Sequence, residues 1–118
     1  MHIVERYLDA VVRHDWVALA DCLADDVVRV GPFGDTYTPK EPYVAFLRDL
    51  MPRLPGYAMQ VDRVIDAGTT AVVELSETVE LQGVPVLTPE SLVFDLGDDG
   101  RILHIAIYIQ RLGETPAL

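Results

Sequence analysis

The sequence has little positive charge. Its 118 residues include 9 Lys and Arg against 19 Asp and Glu, which gives a formal net charge of -10 and a pI near 4.4. No basic cluster interrupts this acidity, so the surface is expected to repel phosphate backbones. We therefore expect no nucleic-acid partner.

The sequence also has a single cysteine and no long apolar run. One thiol cannot form an internal disulfide or a cysteine-based metal site, and Cys22 is expected to be a buried small residue. The apolar runs fall far short of the roughly 20 residues of a membrane span, and charge interrupts the N-terminal MHIVERYLDAVV where a signal peptide would be hydrophobic. These features predict a soluble, cytoplasmic protein with no membrane partner.

Histidines are few and scattered. His2, His14 and His104 show no metal-ligand spacing, so we expect neither a metal nor another cofactor. His2 and His14 are predicted at helix ends in solvent. His104 and Tyr108 are assigned to the outer face of the last strand.

Half of the residues are apolar, which at this length predicts one globular domain over residues 1–118. Helical spacing of apolar residues predicts a first helix from Ile3 to Val12. A second, short helix is expected to begin at Trp16 with Asp15 as its N-cap, and the segment DVVRV then reads as a strand.

The segment TPKE predicts the start of a third helix. Thr38 would be the N-cap, Pro39 the first helical residue and Glu41 the partner in a capping box, and Pro52 would end the helix. The residues expected to be buried are Tyr43, Val44, Phe46, Leu47, Leu50 and Met51.

After Pro55 the apolar period changes from about 3.6 to 2, as in strands. The predicted strands are Tyr57–Ile65, Thr69–Leu81, Val84–Leu96 and Ile102–Arg111, joined by turns at 67–68, 82–83 and 97–100. Helices followed by an antiparallel meander predict an α+β fold in which three helices pack on a curved, mostly antiparallel sheet.

Two glutamates break the apolar pattern of the middle strands. Glu77 lies on the apolar odd face of its strand and Glu90 on the apolar even face of the next. A two-residue turn would pair Leu81 with Val84 and so place Glu77 opposite Thr88. Both glutamates would then share one apolar face.

The last predicted strand agrees with this arrangement. A turn at residues 97–100 would bring Ile107 opposite Glu90 and Ile105 opposite Leu92. Three strands then contribute to one apolar face that holds two diagonal glutamates, with Cβ atoms about 6 to 8 Å apart.

A pair of carboxylates on an apolar face is typical of an acid–base site. Burial of such groups is unfavourable unless they are paired or protonated, and two close together raise the pKa of at least one. Two structural alternatives remain open at this point. The strand ends could be solvated, or Arg29 or Arg63 could form an ion pair with either glutamate.

The segments VERYLDAVVRHDWVALADCLADDVV, ELQG and DGRI resemble, in order and spacing, the nuclear transport factor 2-like superfamily. That superfamily includes ketosteroid isomerases, limonene epoxide hydrolases and SnoaL-like polyketide cyclases. The resemblance covers essentially the whole chain. It implies a cone-shaped α+β barrel, a homodimer, and a deep apolar pocket between the sheet and the helices.

The known chemistries of the superfamily carry over only in part. Against the ketosteroid isomerase pattern, Tyr7 matches the tyrosine that donates to the substrate oxyanion. The position of the general base is Gly31, and that of the protonated aspartate is Leu92. The strand-end aspartate of the cyclases is Gln110 here, and no Asp-Arg-Asp set of the epoxide hydrolase kind is found.

Other residues are candidates for the lining of the pocket. Trp16 reads as packing at the floor of the cone, and Arg29 could enter the cavity or lie in solvent. The full set of predicted binding residues is Trp16, Arg29, Tyr43, Leu47, Tyr57, Met59, Leu75, Leu92, Ile105 and Ile107.

Two functional hypotheses follow. The first is a cofactor-independent enzyme acting on a hydrophobic small molecule, an isomerase, cyclase or epoxide hydrolase, with Glu90 or Glu77 as base or acid and Tyr7 as hydrogen-bond donor. The second is a non-catalytic ligand-binding or dimeric interaction module. An open cavity with glutamates unpaired by arginine would favour the enzyme.

Overall fold

The fold was analysed in a computed structural model that describes residues 1–110. Arg111, the predicted end of the last strand, lies outside the described residues. The elements are α1 (Ile3–Arg13), α2 (Trp16–Asp21), β1 (Leu23–Val30), β2 (Thr36–Tyr37), α3 (Lys40–Leu50), a 3-10 turn (Met51–Arg53), β3 (Ala58–Asp66), β4 (Thr70–Leu81), β5 (Val84–Leu96) and β6 (Ile102–Ile109). The predicted α+β class, with three helices, is confirmed.

Both ends of α1 are capped. His2 accepts a hydrogen bond from the Val4 amide, and Glu5 accepts one from the His2 amide, so the two form a capping box. His14 ends the helix in the left-handed region at φ 56°. His2 is therefore a half-buried cap rather than the solvated residue that was predicted.

The start of α3 differs from the prediction. The helix begins at Lys40 with Pro39 as N-cap, and no side chain caps it. The Thr38 hydroxyl instead donates to the Val27 carbonyl of β1 at 2.7 Å. The predicted capping box with Glu41 is therefore absent.

The strands form one mixed sheet in the order β2-β1-β6-β5-β4-β3. The sheet is open rather than a closed barrel, and only the β1–β6 pair among these strands is parallel. Strand β1 begins at Leu23, earlier than predicted, and β2 was not predicted. A two-residue edge strand is too short to show an alternation of apolar and polar residues, and a strand with a parallel neighbour need not show one.

The β4–β5 register is confirmed, since Leu81 pairs with Val84, Glu77 with Thr88 and Leu75 with Glu90. The β5–β6 register differs by two residues from the prediction. Leu96 pairs with Ile102 instead of Arg101, and an irregularity between Asp95 and Leu96 adds one more residue, so Glu90 lies opposite Ile109. A shift of two keeps the same side chains on the same face.

One face of the sheet, called here the inner face, packs against α1 and α3. Phe94, Ile105 and Val73 are fully buried there, together with Val4 of α1 and Tyr43 of α3. Within residues 1–110, no helix combines the length and apolarity needed to cross a bilayer.

Candidate active site

A cavity of about 380 Å³ lies between the inner face, α1 and α3. Its wall is mostly apolar, with polar atoms from a few side chains. The polar residues that face it are Tyr7, Arg29, Tyr43, Tyr57, Glu77, Thr88 and Glu90. An apolar recess with a few convergent polar groups is typical of a small-molecule site.

Both predicted glutamates line this cavity. Glu77 of β4 and Glu90 of β5 lie on neighbouring strands, diagonal to each other in an uninterrupted ladder, and both are half-buried. Within the described residues, neither forms an ion pair with a basic side chain. The two carboxyl groups therefore face each other in an apolar setting.

Tyr57 fixes one of the two carboxyl groups. It precedes β3, and its hydroxyl donates a hydrogen bond to Glu77 Oε2. Burial, followed by the charge of Glu77, raises the pKa of Tyr57 and keeps this phenol protonated. Glu77 is thus held as a hydrogen-bond acceptor.

Glu90 is the protonated member of the pair at neutral pH. Burial, and then the adjacent Glu77 carboxylate, raise the pKa of Glu90 to about 9, while the charge of Arg29 opposes the shift. Glu90 therefore lies beside Glu77 with a raised pKa, an arrangement that is typical of acid–base sites.

This shift predicts a pH-dependent stability. Between about pH 5 and pH 9 the unfolded chain releases the Glu90 proton while the folded chain keeps it, so the free energy of unfolding falls as pH rises through this window. Glu90→Gln cannot ionise and is expected to show a flatter profile of Tm against pH. The matched control is Glu74→Gln on the outer face of the sheet. Parallel profiles for Glu90→Gln and wild type would contradict the shift.

Two tyrosines form a second polar group. The hydroxyls of Tyr7 on α1 and Tyr43 on α3 share a short hydrogen bond, and both residues are buried. Burial raises the pKa of each phenol, so both are protonated donors. The Tyr7 ring also packs edge-on against Phe94, which fixes its position.

Arg29 enters the cavity rather than solvent. Its side chain is 11% exposed, and Nη1 lies 2.8 Å from Asp35 Oδ2. The guanidinium also lies 5.3 to 5.9 Å from the centroids of Phe46, Tyr37 and Tyr43. Arg29 therefore forms its ion pair with Asp35 and not with Glu77 or Glu90.

Arg63 is also unavailable to the glutamates of the cavity. Its Nε bonds Glu74 on the outer face of the sheet. The bulge in β3 between Val61 and Arg63 places that side chain opposite Glu74.

The Arg29–Asp35 ion pair fills the space into which a side chain at position 31 would project. A Cβ built on Gly31 would lie 2.6 Å from Arg29 Nη1 and would collide with the Asp35 carboxylate. An aspartate at position 31, the general base of the isomerase pattern, would thus displace this ion pair. Leu92, the position of the protonated aspartate in that pattern, is buried and apolar.

Most of the predicted binding residues do line the cavity, but two lie elsewhere. Trp16 is half-buried against the hydrophobic core and stacks on His14 with ring centroids 5.5 Å apart, away from the cavity. Ile105 is fully buried beneath the site. Residues not predicted for the lining include Phe33, Phe46, Val79, Leu81, Val86 and Thr88. The even face of β5 and the odd face of β4 could have indicated the strand members of this set.

The described residues offer no evident site for a metal ion. Within residues 1–110, no three or more His, Cys, Asp or Glu side chains are grouped in a way that could hold one.

A family model for the SnoaL-like domain matches residues 4–105. The chain belongs to the SnoaL-like family. No curated protein sequence matches this SnoaL-like chain significantly.

Solved structures share the fold of this SnoaL-like chain at low sequence identity. A proposed ketosteroid isomerase from Kribbella flavida superposes with a TM-score of 0.83 at 19% identity, covering 97% of this chain and 79% of its own. An LEH-like epoxide hydrolase from M. tuberculosis gives 0.80 at 22% identity, with 92% and 80% covered. A proposed SnoaL-like polyketide cyclase from Shewanella putrefaciens gives 0.78 at 18%, with 91% and 77% covered. At these identities the likeness concerns the fold.

Proposed function

We propose that this chain is a cofactor-independent acid–base enzyme that moves a proton within a hydrophobic carbonyl compound, as an isomerase or cyclase does. Glu77 is the base, Glu90 the acid, and Tyr7 donates a hydrogen bond to the oxygen that becomes negative. The observation that carries the proposal is the pair of glutamates on neighbouring strands in the wall of an apolar cavity, with Tyr57 bonded to Glu77 and the pKa of Glu90 raised.

The proton inventory of the reaction is balanced. Glu77 takes a proton from the α carbon of a β,γ-unsaturated carbonyl compound, the C–H bond breaks, and its electron pair passes into a conjugated dienolate. Glu90 then gives its proton to the γ carbon, the C=C bond moves to the α,β position, and the carbonyl re-forms. The pair still holds one proton, which returns from Glu77 to Glu90 to complete the cycle.

The apolar cavity makes this chemistry possible. In a dry site a carboxylate is a stronger base than in water, and hydrogen bonds to a developing oxyanion are worth more. Tyr57 keeps Glu77 oriented toward the cavity, and the phenols of Tyr7 and Tyr43 remain protonated. Both phenols are therefore available as hydrogen-bond donors.

The proposal can be tested without knowledge of the natural substrate. The probe is 2-tetralone, an apolar cyclic ketone, incubated with the protein in D2O. We expect deuterium to enter the carbons next to the carbonyl faster than in buffer, measured by mass spectrometry. Binding of 2-tetralone without exchange would overturn the proposal and favour the non-catalytic binding module.

The same acid–carboxylate pair also favours a second reaction, the addition of water to an epoxide. Glu90 would protonate the epoxide oxygen as the C–O bond breaks, and Glu77 would take the proton of the attacking water. Styrene oxide is the matched probe, with diol formation as the readout. Diol formation without ketone exchange would assign the protein to hydrolysis rather than isomerisation.

We also propose that the chain forms a homodimer through the outer face of the sheet. Val72, Val93, Ala106 and Val30 lie side by side in the pairing register, and Ile65 extends the row on β3. This apolar row crosses five strands on the face that is left uncovered by the helices of residues 1–110. A second copy of the row would bury it.

Ala106→Arg is expected to weaken that dimer. A guanidinium in the middle of the apolar row would be desolvated without a partner, so the variant should sediment as a monomer at concentrations where wild type is a dimer. The control is Asp98→Arg in the exposed turn after β5, which changes charge away from the row. Equal sedimentation of the two variants would place the interface elsewhere.

A further inference from the structure

The proposed proton transfer between substrate and glutamates gives no role to Arg29, a cation in the wall of the cavity. It lines the cavity from β1, while the two glutamates line it from β4 and β5. Arg29 lies opposite Ile105 of β6, and Glu90 lies opposite Ile109. These two partners are four residue steps apart on β6, which corresponds to roughly 13 Å of strand. The cavity therefore has a cationic end and a carboxyl end.

The cationic end is held in place by the protein. Asp35 binds Nη1 from outside, and three aromatic rings surround the guanidinium. Gly31 leaves the space in which this ion pair lies. A rigid, nearly buried cation is ready to receive an anion without reorganisation.

The hydrogen-bonding capacity of Arg29 is not filled by the protein. A guanidinium carries five N–H donors, and Asp35 engages Nη1 alone. Nε is buried and has no hydrogen-bond partner among residues 1–110. A carboxylate is the acceptor that best matches a planar guanidinium.

We propose that Arg29 binds a carboxylate of the substrate, and that the cavity therefore takes lipophilic carboxylic acids whose reacting carbon lies at the opposite, carboxyl end. This inference rests on the proposed function for the identity of the reacting end. The Arg29 end itself recognises the ligand whether or not proton transfer follows. Specificity then comes from the distance between the carboxylate and the reacting carbon.

The test compares two ligands that differ in charge alone. 2-Naphthoate carries the carboxylate, and its methyl ester is the neutral control of nearly the same shape. We expect wild type to bind 2-naphthoate at least about tenfold more tightly than the ester, because the contact with Arg29 is charge-assisted. Binding is measured by calorimetry, with no need for turnover.

Variants separate the role of Arg29 from that of the cavity. Arg29→Met is expected to lose the preference for 2-naphthoate while still binding the ester within about twofold of wild type. Arg29→Lys keeps the charge and should keep part of the preference. Arg63→Met, on the outer face of the sheet, removes an arginine without touching the cavity and should change neither affinity.

The outcomes decide the proposal without reference to catalysis. Equal affinity of wild type for acid and ester would overturn it, even if Arg29→Met fails to fold. A preference that survives in a folded Arg29→Met would overturn it as well. Glu77→Gln should retain the preference for 2-naphthoate, so a failure of the proton-transfer proposal leaves this test unaffected.

Discussion

Glu77→Gln is expected to slow deuterium exchange into 2-tetralone by about 100- to 10,000-fold, the range typical of a lost general base. Glutamine keeps the shape of glutamate and can still accept the hydrogen bond from Tyr57, but it cannot take a proton. The cavity is preserved, so 2-tetralone should still bind. The exchange rate, measured by mass spectrometry at saturating ketone, reports the chemical step.

Glu74→Gln is the matched control for this loss. Glu74 lies on the same strand, three residues earlier, but on the outer face, where it bonds Arg63. The Glu74→Gln variant should catalyse deuterium exchange into 2-tetralone at the wild-type rate. If Glu77→Gln retains full exchange, Glu77 is not the base. Loss of exchange in both variants would indicate a structural effect instead.

Tyr7→Phe is expected to lower the same exchange rate by up to about 100-fold, as removal of one oxyanion donor does. The lost group is the hydroxyl that meets Tyr43 in the wall of the cavity. The Tyr43 hydroxyl remains and can donate in its place, which is why the loss should be smaller than for Glu77. The phenylalanine ring keeps the packing on Phe94.

Two further variants complete this measurement. Tyr108→Phe removes a hydroxyl from an exposed outer-face residue and should leave exchange unchanged. Tyr43→Phe shows which phenol faces the substrate, since the donor that contacts the oxyanion must cause the larger loss. Unchanged exchange in both Tyr7→Phe and Tyr43→Phe would remove the phenols from the mechanism.

The period of the apolar residues and the residue types at the turns were enough to predict helices, strands and the pairing of strands that are adjacent in sequence. The β4–β5 ladder followed from a two-residue turn, and its alternation brought Glu77 and Glu90 to one face. The register of β6 did not follow, because an irregularity near Asp95 has no signature in the alternation. Similarly, Thr38 has the residue type of an N-cap, but a partner on another strand engages its hydroxyl.

The candidate site was predictable where side chains follow strand parity. The hydrogen-bond and ion-pair partners of these side chains were not predictable, because the partners come together only in the folded chain. Tyr57 reaches Glu77 from outside β3, and Arg29 selects Asp35 after a tight turn rather than either glutamate. Trp16 packs against the core as predicted, but it does not reach the cavity.

The unbroken β4–β5 ladder also suggests how chemistry can migrate within this architecture. The isomerase pattern has an acid at the position of Leu92, whereas the acid proposed for this chain is Glu90, one side-chain repeat earlier on the same strand. That repeat is roughly 7 Å, and it preserves the face on which the carboxyl group lies. A lineage can therefore relocate a proton donor along a strand by exchanging two residues, without rebuilding the scaffold that surrounds it.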